Sequence, residues 1–315
     1  MINWGILGLG RMGLEFASAI GETSNSKLIS ISSRSGKTFK NFKNETYENL
    51  IHNKNIDAIY ISTLNNTHTD LIEKILKEDK KILCEKPVSI SLEKLIKIKE
   101  LFYKKNTQFY EAITYYSHPQ TLEILNLINN DEIGEIQKIE SNFGFKAKFN
   151  PSSRLFDKSL GGGAIFDLGC YPLSFFMLFA KNPEKIIIKS KTLNYAKSNV
   201  DDDAAAFLDY DNKIEGKIHV SFKTNLNNIC IIYGSKGFIK INEPWLPGKN
   251  SSIEVSSNKH FYIKSINSKL SIYANQIEKV SESFINKNNK FNLFDFEKSL
   301  ISMKLISNWL NDEII

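Results

Sequence analysis

Cysteine is scarce in this chain, and the few present do not form a set. Cys84, Cys170 and Cys230 are the only three, an odd number at wide spacing with no Cys-x-x-Cys pair. That argues against a disulfide framework and a zinc site, and fits a reducing cytoplasm and a metal-free chemistry. Long apolar runs are missing too. The most apolar segment, Leu173 to Ala180, falls well short of the ~20 residues that cross a bilayer, so no membrane partner is expected. No basic stretch precedes the first apolar run, so no signal peptide is expected. Nor is there a basic block with interleaved aromatics, only pairs such as Lys80-Lys81 and Lys104-Lys105. The net charge of +6 therefore reads as solvated lysines, and no nucleic-acid partner is expected. No internal repeat at solenoid spacing is found.

What remains, 42% hydrophobic and 24% charged residues over 315 positions, describes a soluble globular chain of two ordinary domains. Its organising stretch is the first one. The apolar run Ile2-Asn3-Trp4-Gly5-Ile6-Leu7 ends in Gly8-x-Gly10-x-x-Gly13, and Leu14, Phe16, Ala17 and Ile20 then fall at helical spacing. Strand, glycines, helix is the order a dinucleotide pyrophosphate needs. Gly8 permits the turn, Gly10 lets the backbone approach the phosphates, and Gly13 lets helix and strand pack closely. The helix start supplies free N–H groups. The bland alternative is a turn that merely joins two elements.

A second strand, Lys27 to Ser33, ends at Arg34, with no Asp or Glu between Glu22 and Glu45. An acid at that place would bond the ribose 2′-hydroxyl of NAD, whereas arginine accommodates the 2′-phosphate of NADP. Ser33-Arg34-Ser35 and Lys37 favour NADP without excluding NAD. Asp57 to Thr63 reads as a buried parallel strand, and Thr67 to Lys77 as a helix on Leu71, Ile72, Ile75 and Leu76. The intervening loop, with Thr63, Asn66 and His68, lies where open α/β sheets bind ligands. Lys81 to Cys84 is a further strand, ending in Glu85-Lys86-Pro87. A cis bond before Pro87 would fix where Lys86 points, although by itself a lysine before proline is an ordinary surface residue. A helix on Leu92, Leu95, Ile96, Ile98 and Leu101 and a strand from Gln108 to Thr114 complete a doubly wound parallel sheet.

After Tyr115-Tyr116-Ser117-His118-Pro119 the rhythm changes. A helix on Leu122, Leu125 and Ile128 precedes strand candidates Gln137–Phe145, Ile186–Tyr195, Ala204–Tyr210, Lys213–Phe222, Asn228–Gly234 and Gly237–Ile241, with Asp211-Asn212 as a tight turn. This predicts a mainly antiparallel sheet in a second, α+β domain. A closing helix carries Leu293, Phe296, Leu300, Met303 and Leu310. Within this half, Gly161-Gly162-Gly163 gives a turn of unusual freedom, and the helix after it brings Asp167 and Tyr171 to one face at i and i+4. An acid and a phenol one turn apart, with a lysine from the other domain, suit proton transfer at a carbonyl or alcohol. A buried helix with a capping Asp and a packing Tyr fits the spacing equally well.

Taken in order, Gly8-x-Gly10-x-x-Gly13, Glu85-Lys86-Pro87 and Gly161-Gly162-Gly163-Ala164-Ile165-Phe166-Asp167-Leu168-Gly169-Cys170-Tyr171 resemble the glucose–fructose oxidoreductase and inositol dehydrogenase (Gfo/Idh/MocA) family. The resemblance spans nearly the whole chain and includes Ile232-Tyr233-Gly234-Ser235-Lys236-Gly237. It implies a Rossmann domain over residues 1–118 and an α+β domain over 119–315 with an open sheet. That second domain would bind substrate and form a homodimer or homotetramer, and its last helix is expected to pack back on the first domain. The implied reaction is hydride transfer between NADP, or NAD, and a carbinol or carbonyl carbon of a sugar, cyclitol or diol. Lys86 matches the catalytic lysine and Asp167 the substrate-orienting acid. Tyr171 falls where many members carry histidine and the dihydrodiol dehydrogenase and sugar ketoreductase branches carry tyrosine. The implied cofactor contacts are Gly8, Gly10, Arg11, Met12, Gly13, Ser33, Arg34, Thr63, Asn66, His68, Glu85 and Lys86. Those to substrate are Lys86, Arg154, Asp167 and Tyr171. The chain departs from many relatives at Tyr115-Tyr116, where an arginine often precedes the His118-Pro119 equivalent. The rival readings are an NAD-linked inositol-type dehydrogenase and an NADP-binding sensor without turnover.

Overall fold

The first strand, β1 (Ile2–Leu7), is apolar enough to be buried on both faces and sits inside a parallel sheet. The structure, a computed structural model, describes residues 1–258, 260–286 and 291–311. After β1 come α1 (Arg11–Ala19), β2 (Ser26–Ser32), β3 (Asn44–Glu45), α2 (Tyr47–His52), β4 (Ala58–Ile61), α3 (His68–Lys77), β5 (Lys81–Cys84), α4 (Leu92–Lys105) and β6 (Phe109–Glu111). The six strands lie in the order β3-β2-β1-β4-β5-β6, every neighbouring pair parallel. The winding therefore reverses between β1 and β4, the place where such sheets bind ligands. Local signals set the helix starts. Thr46 accepts from Asn49 N to cap α2, and Ser91 accepts from Lys94 N to cap α4. In the core Phe16 of α1 stacks on Tyr60 at 4.0 Å and meets Trp4 edge-on at 5.3 Å, contacts worth about 1 kcal/mol each beyond their buried area.

The second body begins with α5 (Pro119–Asn129), whose first-turn proline needs no hydrogen-bond partner. It continues with β7 (Ile136–Gly144), α6 (Cys170–Met177), β8 (Ile186–Tyr195), β9 (Asp201–Tyr210), β10 (Ile214–Ser221), β11 (Cys230–Gly234), β12 (Gly237–Ile241), β13 (Asn250–Ser257) and β14 (Phe261–Asn267). Their order is β14-β13-β12-β11-β7-β10-β9-β8. All neighbours are antiparallel except β7 and β10. Asp211 and Asn212, at φ 56° and 54°, are the central residues of the expected tight turn between β9 and β10, closed by Lys213 N donating to Tyr210 O at 3.0 Å. Every residue of α6 is buried. At Gly216 of β10 an added Cβ would lie 2.7 Å from the Phe176 ring, so the helix approaches the sheet where no side chain intervenes. By length and composition Lys158–Met177 could cross a membrane, contrary to the reading of Leu173 to Ala180, but 89% of its most apolar window is buried in the protein.

Contacts divide the chain into Met1–Ser117 with Lys269–Ser299, and His118–Ser268 with the residues from Leu300 on. The second unit thus begins at His118, and residues 269–299 return to the first. The helix α7 (Ile272–Ile285) belongs to the first body, where Trp4 Nε1 donates to Ser281 Oγ at 3.0 Å. It escapes a periodicity reading because polar Asn275, Gln276, Ser281 and Ser283 interrupt its buried face. Of the closing helix, α8 (Phe296–Leu310), only the first turn falls in the first body. β13 and β14 were not foreseen, since each carries short apolar alternation among Ser, Asn and Lys.

Candidate active site

The turn after β1 is built by its glycines. Gly8 has φ +96°, and a Cβ there would lie 2.7 Å from Ser62 O. A Cβ on Gly13 would lie 2.1 Å from Gly8 O, so strand and helix touch backbone to backbone. Gly10 differs, because a Cβ there meets nothing within 4 Å. Gly10 caps α1 without any side-chain hydrogen bond, and no acid lies in the first turn. Arg11 is exposed and Met12 half-buried beside it. A helix start with no side-chain cap and no acid fits a dinucleotide pyrophosphate.

At the end of β2, Ser33 N donates to Asn44 Oδ1 at 2.6 Å and Asn44 Nδ2 donates back to Ser33 O at 2.9 Å. Arg34 lies over the Tyr47 ring, 5.0 Å from its centroid. A guanidinium held against an aromatic face is pre-oriented for a phosphate. Ser32 Oγ donates to the backbone carbonyl of Glu45 at 2.5 Å.

The loops after β4 and β5 lie along the same sheet edge. Thr63 Oγ1 and Thr67 Oγ1 are 2.7 Å apart, and Asn66 is half-buried in the short turn between them. His68 is placed otherwise than a cofactor contact would be. It is fully buried, with Nδ1 2.9 Å from Pro87 O and Nε2 3.2 Å from Thr63 O. Burial lowers its pKa. It ties the two loops together from beneath. Glu85 is likewise buried, accepting from Tyr60 Oη at 2.5 Å and from Lys86 N at 3.2 Å, so its oxygens hold the turn. The Lys86-Pro87 peptide is cis, and Lys86 is half-buried at the turn's apex.

In the second body the glycine turn leads into a π turn, Ile165–Gly169, and then α6. Gly163 has φ +123° and an added Cβ would lie 2.2 Å from Asp201 Oδ1. Asp201 Oδ2 accepts from Ile165 N at 2.7 Å. Desolvation raises the Asp201 pKa to about 6 against the pull of those backbone donors. One turn in, Asp167 is buried and accepts from Arg154 Nη1 at 2.9 Å. Tyr171, one turn further, is walled by Phe143 edge-on at 5.3 Å and by Trp245 at 6.3 Å. Arg154, Asp167 and Tyr171 therefore belong to one neighbourhood of this body, an ion pair followed by an aromatic-walled phenol.

Four residues of these neighbourhoods were not foreseen: Tyr47, Glu111, Asp201 and Trp245. Tyr47 and Trp245 carry no motif, and their roles come from what folds against them. Glu111 carried a faint signal, an acid at the end of an apolar strand, and Asp201 another, the first of three consecutive aspartates. Among the described residues no group of His, Cys, Asp and Glu is arranged to hold a metal.

Comparison with known proteins agrees with this geometry. Residues 2–113 match the oxidoreductase family with an NAD-binding Rossmann fold, and residues 121–240 match the GFO/IDH/MocA C-terminal domain. A trans-1,2-dihydrobenzene-1,2-diol dehydrogenase of Xenopus tropicalis is 29% identical over 78% of this chain and 77% of its own. A D-xylose 1-dehydrogenase (NADP(+)) of Haloferax volcanii is 26% identical over 70% of each. In fold, a 3-ketoreductase from Actinomadura kijaniata, solved with NADP and TDP-benzene, superposes with a TM-score of 0.86 at 18% identity over 98% of this chain and 96% of that one. With an open glycine cradle in one body and the Asp167–Tyr171 helix in the other, each matched by its own family domain, the chain belongs to the GFO/IDH/MocA family of NAD-binding oxidoreductases.

Proposed function

We propose that the protein is an NADP-preferring, metal-free oxidoreductase acting on a secondary alcohol or ketone of a sugar or diol, and that it works in the cytoplasm. The observation that carries the substrate class is the Arg154–Asp167 pair one helical turn from Tyr171. A carboxylate fixed by a guanidinium is a directional acceptor for a substrate hydroxyl, and the phenol beyond it is placed to handle the proton. Relatives named for a diol and for xylose support the same class. The preference for NADP rests on Arg34 over Tyr47 with no acid at the end of β2.

The nicotinamide, when bound, takes the hydride from an alcohol or gives it to a ketone. The residues of the chain do the rest. Lys86, as a cation, polarises the substrate oxygen. Tyr171 donates its proton to the oxygen in reduction and takes it back in oxidation. Asp167 orients a neighbouring hydroxyl. The three cysteines, all buried and none in a disulfide, support a reducing compartment. Exposed Ile187, Tyr195 and Phe207 on β8 and β9 support self-association through the open sheet face, as a homodimer or homotetramer.

The test is titration of the purified protein with NADPH and with NADH, followed by nicotinamide fluorescence, then turnover on a panel of ketosugars, aldoses and diols. Tighter binding of NADPH with turnover of a panel member is the expected result. Tight binding without turnover anywhere on the panel would favour a sensor.

A further inference from the structure

Glu111 ends β6 directly opposite Cys84, the last residue before the Glu85-Lys86-Pro87 turn. Its side chain is 4% exposed. Oε1 accepts from Val88 N at 3.0 Å, and because Pro87 has no N–H, this is the first backbone donor after Lys86. Glu85 holds the other side of the turn, accepting from Lys86 N. Two buried carboxyl groups thus bracket the lysine. The second oxygen of Glu111, Oε2, is buried and has no hydrogen-bond partner among the described residues. Ser299 stands beside the carboxyl, but its hydroxyl gives its proton to Asp295 O at 3.0 Å.

A buried carboxyl oxygen with no donor is costly, and packing alone does not account for an acid at this place. We propose that Glu111 is a positioning residue for Lys86: it fixes the turn that presents the lysine, and its charge keeps the lysine ammonium protonated during turnover. This rests on reading Lys86 as the cation of the reaction. Facing Glu111 are Cys84, Glu85 and Lys86 from β5 and its turn, Tyr116 from the turn after β6, and Ser299 of α8; Asp295, paired with Lys298, acts on Tyr116. Burial raises the Glu111 carboxyl to about 7 against the pull of Ser299 and of Val88 N–H, with Glu85 adding to the rise and Lys86 opposing it more weakly. Since Lys86 favours the ionised carboxylate, the carboxylate favours the ammonium by the same coupling.

The test needs neither cofactor nor substrate. A pulse of acetic anhydride on the intact protein at pH 6 to 10, followed by peptide mass spectrometry, reads the free-amine fraction of Lys86. Glu111→Gln keeps an oxygen for Val88 N–H and removes the charge. Its Lys86 should acylate about tenfold faster at pH 8, while exposed Lys54 stays unchanged. In the wild-type protein the Lys86 rate should carry a second inflection near pH 7, where Glu111 ionises. An unchanged Lys86 profile in Glu111→Gln would overturn the proposal, as would a wild-type profile following one ionisation through pH 7. NADPH titration of the same samples tests the oxidoreductase reading separately, so failure of either one is recognisable.

Discussion

Two glycine-rich turns feed two helices in this protein, and they have opposite fates. The turn at Gly8, Gly10 and Gly13 delivers α1 with its first N–H groups bare: no cap, no acid, and open space where a Gly10 side chain would stand. The turn at Gly161, Gly162 and Gly163 delivers the helix of Asp167 and Tyr171 with its start already filled, because Asp201 takes the N–H of Ile165. A helix start binds anions only where its donors are free. The first turn therefore keeps the donors that a phosphate would need. In the second, the protein's own carboxylate occupies that position, and the helix becomes a fixed platform for Asp167 and Tyr171.

The contrast can be broken at either end. Gly163→Ala should do the most damage, since it imposes a positive φ on alanine and drives a Cβ into the Asp201 carboxylate; a loss of about 3 kcal/mol is expected in denaturant unfolding. Unchanged stability would show that the filled start is not rigid. Gly10→Asp gives the first turn the carboxylate the second already has. NADPH affinity should drop about a hundredfold through repulsion of the phosphates, with little change in Tm because the added side chain meets open space. NADPH binding as tight as in wild type would remove the cradle from the argument.

A pH measurement sharpens the comparison further. The Asp201 pKa rises from 3.8 to about 6 on folding, so between those values the folded state holds a proton that the unfolded chain has released. Its contribution to stability is complete below about pH 4 and is lost as the pH rises to about 6. The stability difference between wild type and Asp201→Asn should therefore shrink over that window, by on the order of 2 kcal/mol. A flat difference would place Asp201 in a wetter site than its burial indicates. The smallest effect belongs to Arg34→Ala, which should weaken NADPH about tenfold, one charge-assisted contact, and leave NADH nearly unaffected. Equal loss for both cofactors would refute the 2′-phosphate role.

Much of this was legible from the sequence. Strands Ile186–Tyr195 and Gly237–Ile241 lie within the bounds that alternation predicted, and Asp211-Asn212 turns between its strands as their side chains allow. Lys86 and Tyr171 stood out only through the family resemblance of the motifs around them, since alone a lysine before proline and a tyrosine on an apolar helix are ordinary. His68 was misplaced by the same reasoning: a polar residue in a ligand-edge loop reads as a contact, and nothing nearby in sequence shows that two carbonyls, from Pro87 and Thr63, bury it.

The sequence by itself determined the parallel first sheet, its glycine turn, the Lys86 turn and the helix of Asp167 and Tyr171, because turn stereochemistry and hydrophobic period act over a few residues. Only the tertiary structure decided that α7 returns to the first body, that Asp201 fills a helix start 36 residues away, and that Glu111 is buried beneath the Lys86 turn. A polar group's burial, partner and charge depend on which distant segment folds against it, and local spacing carries no record of that.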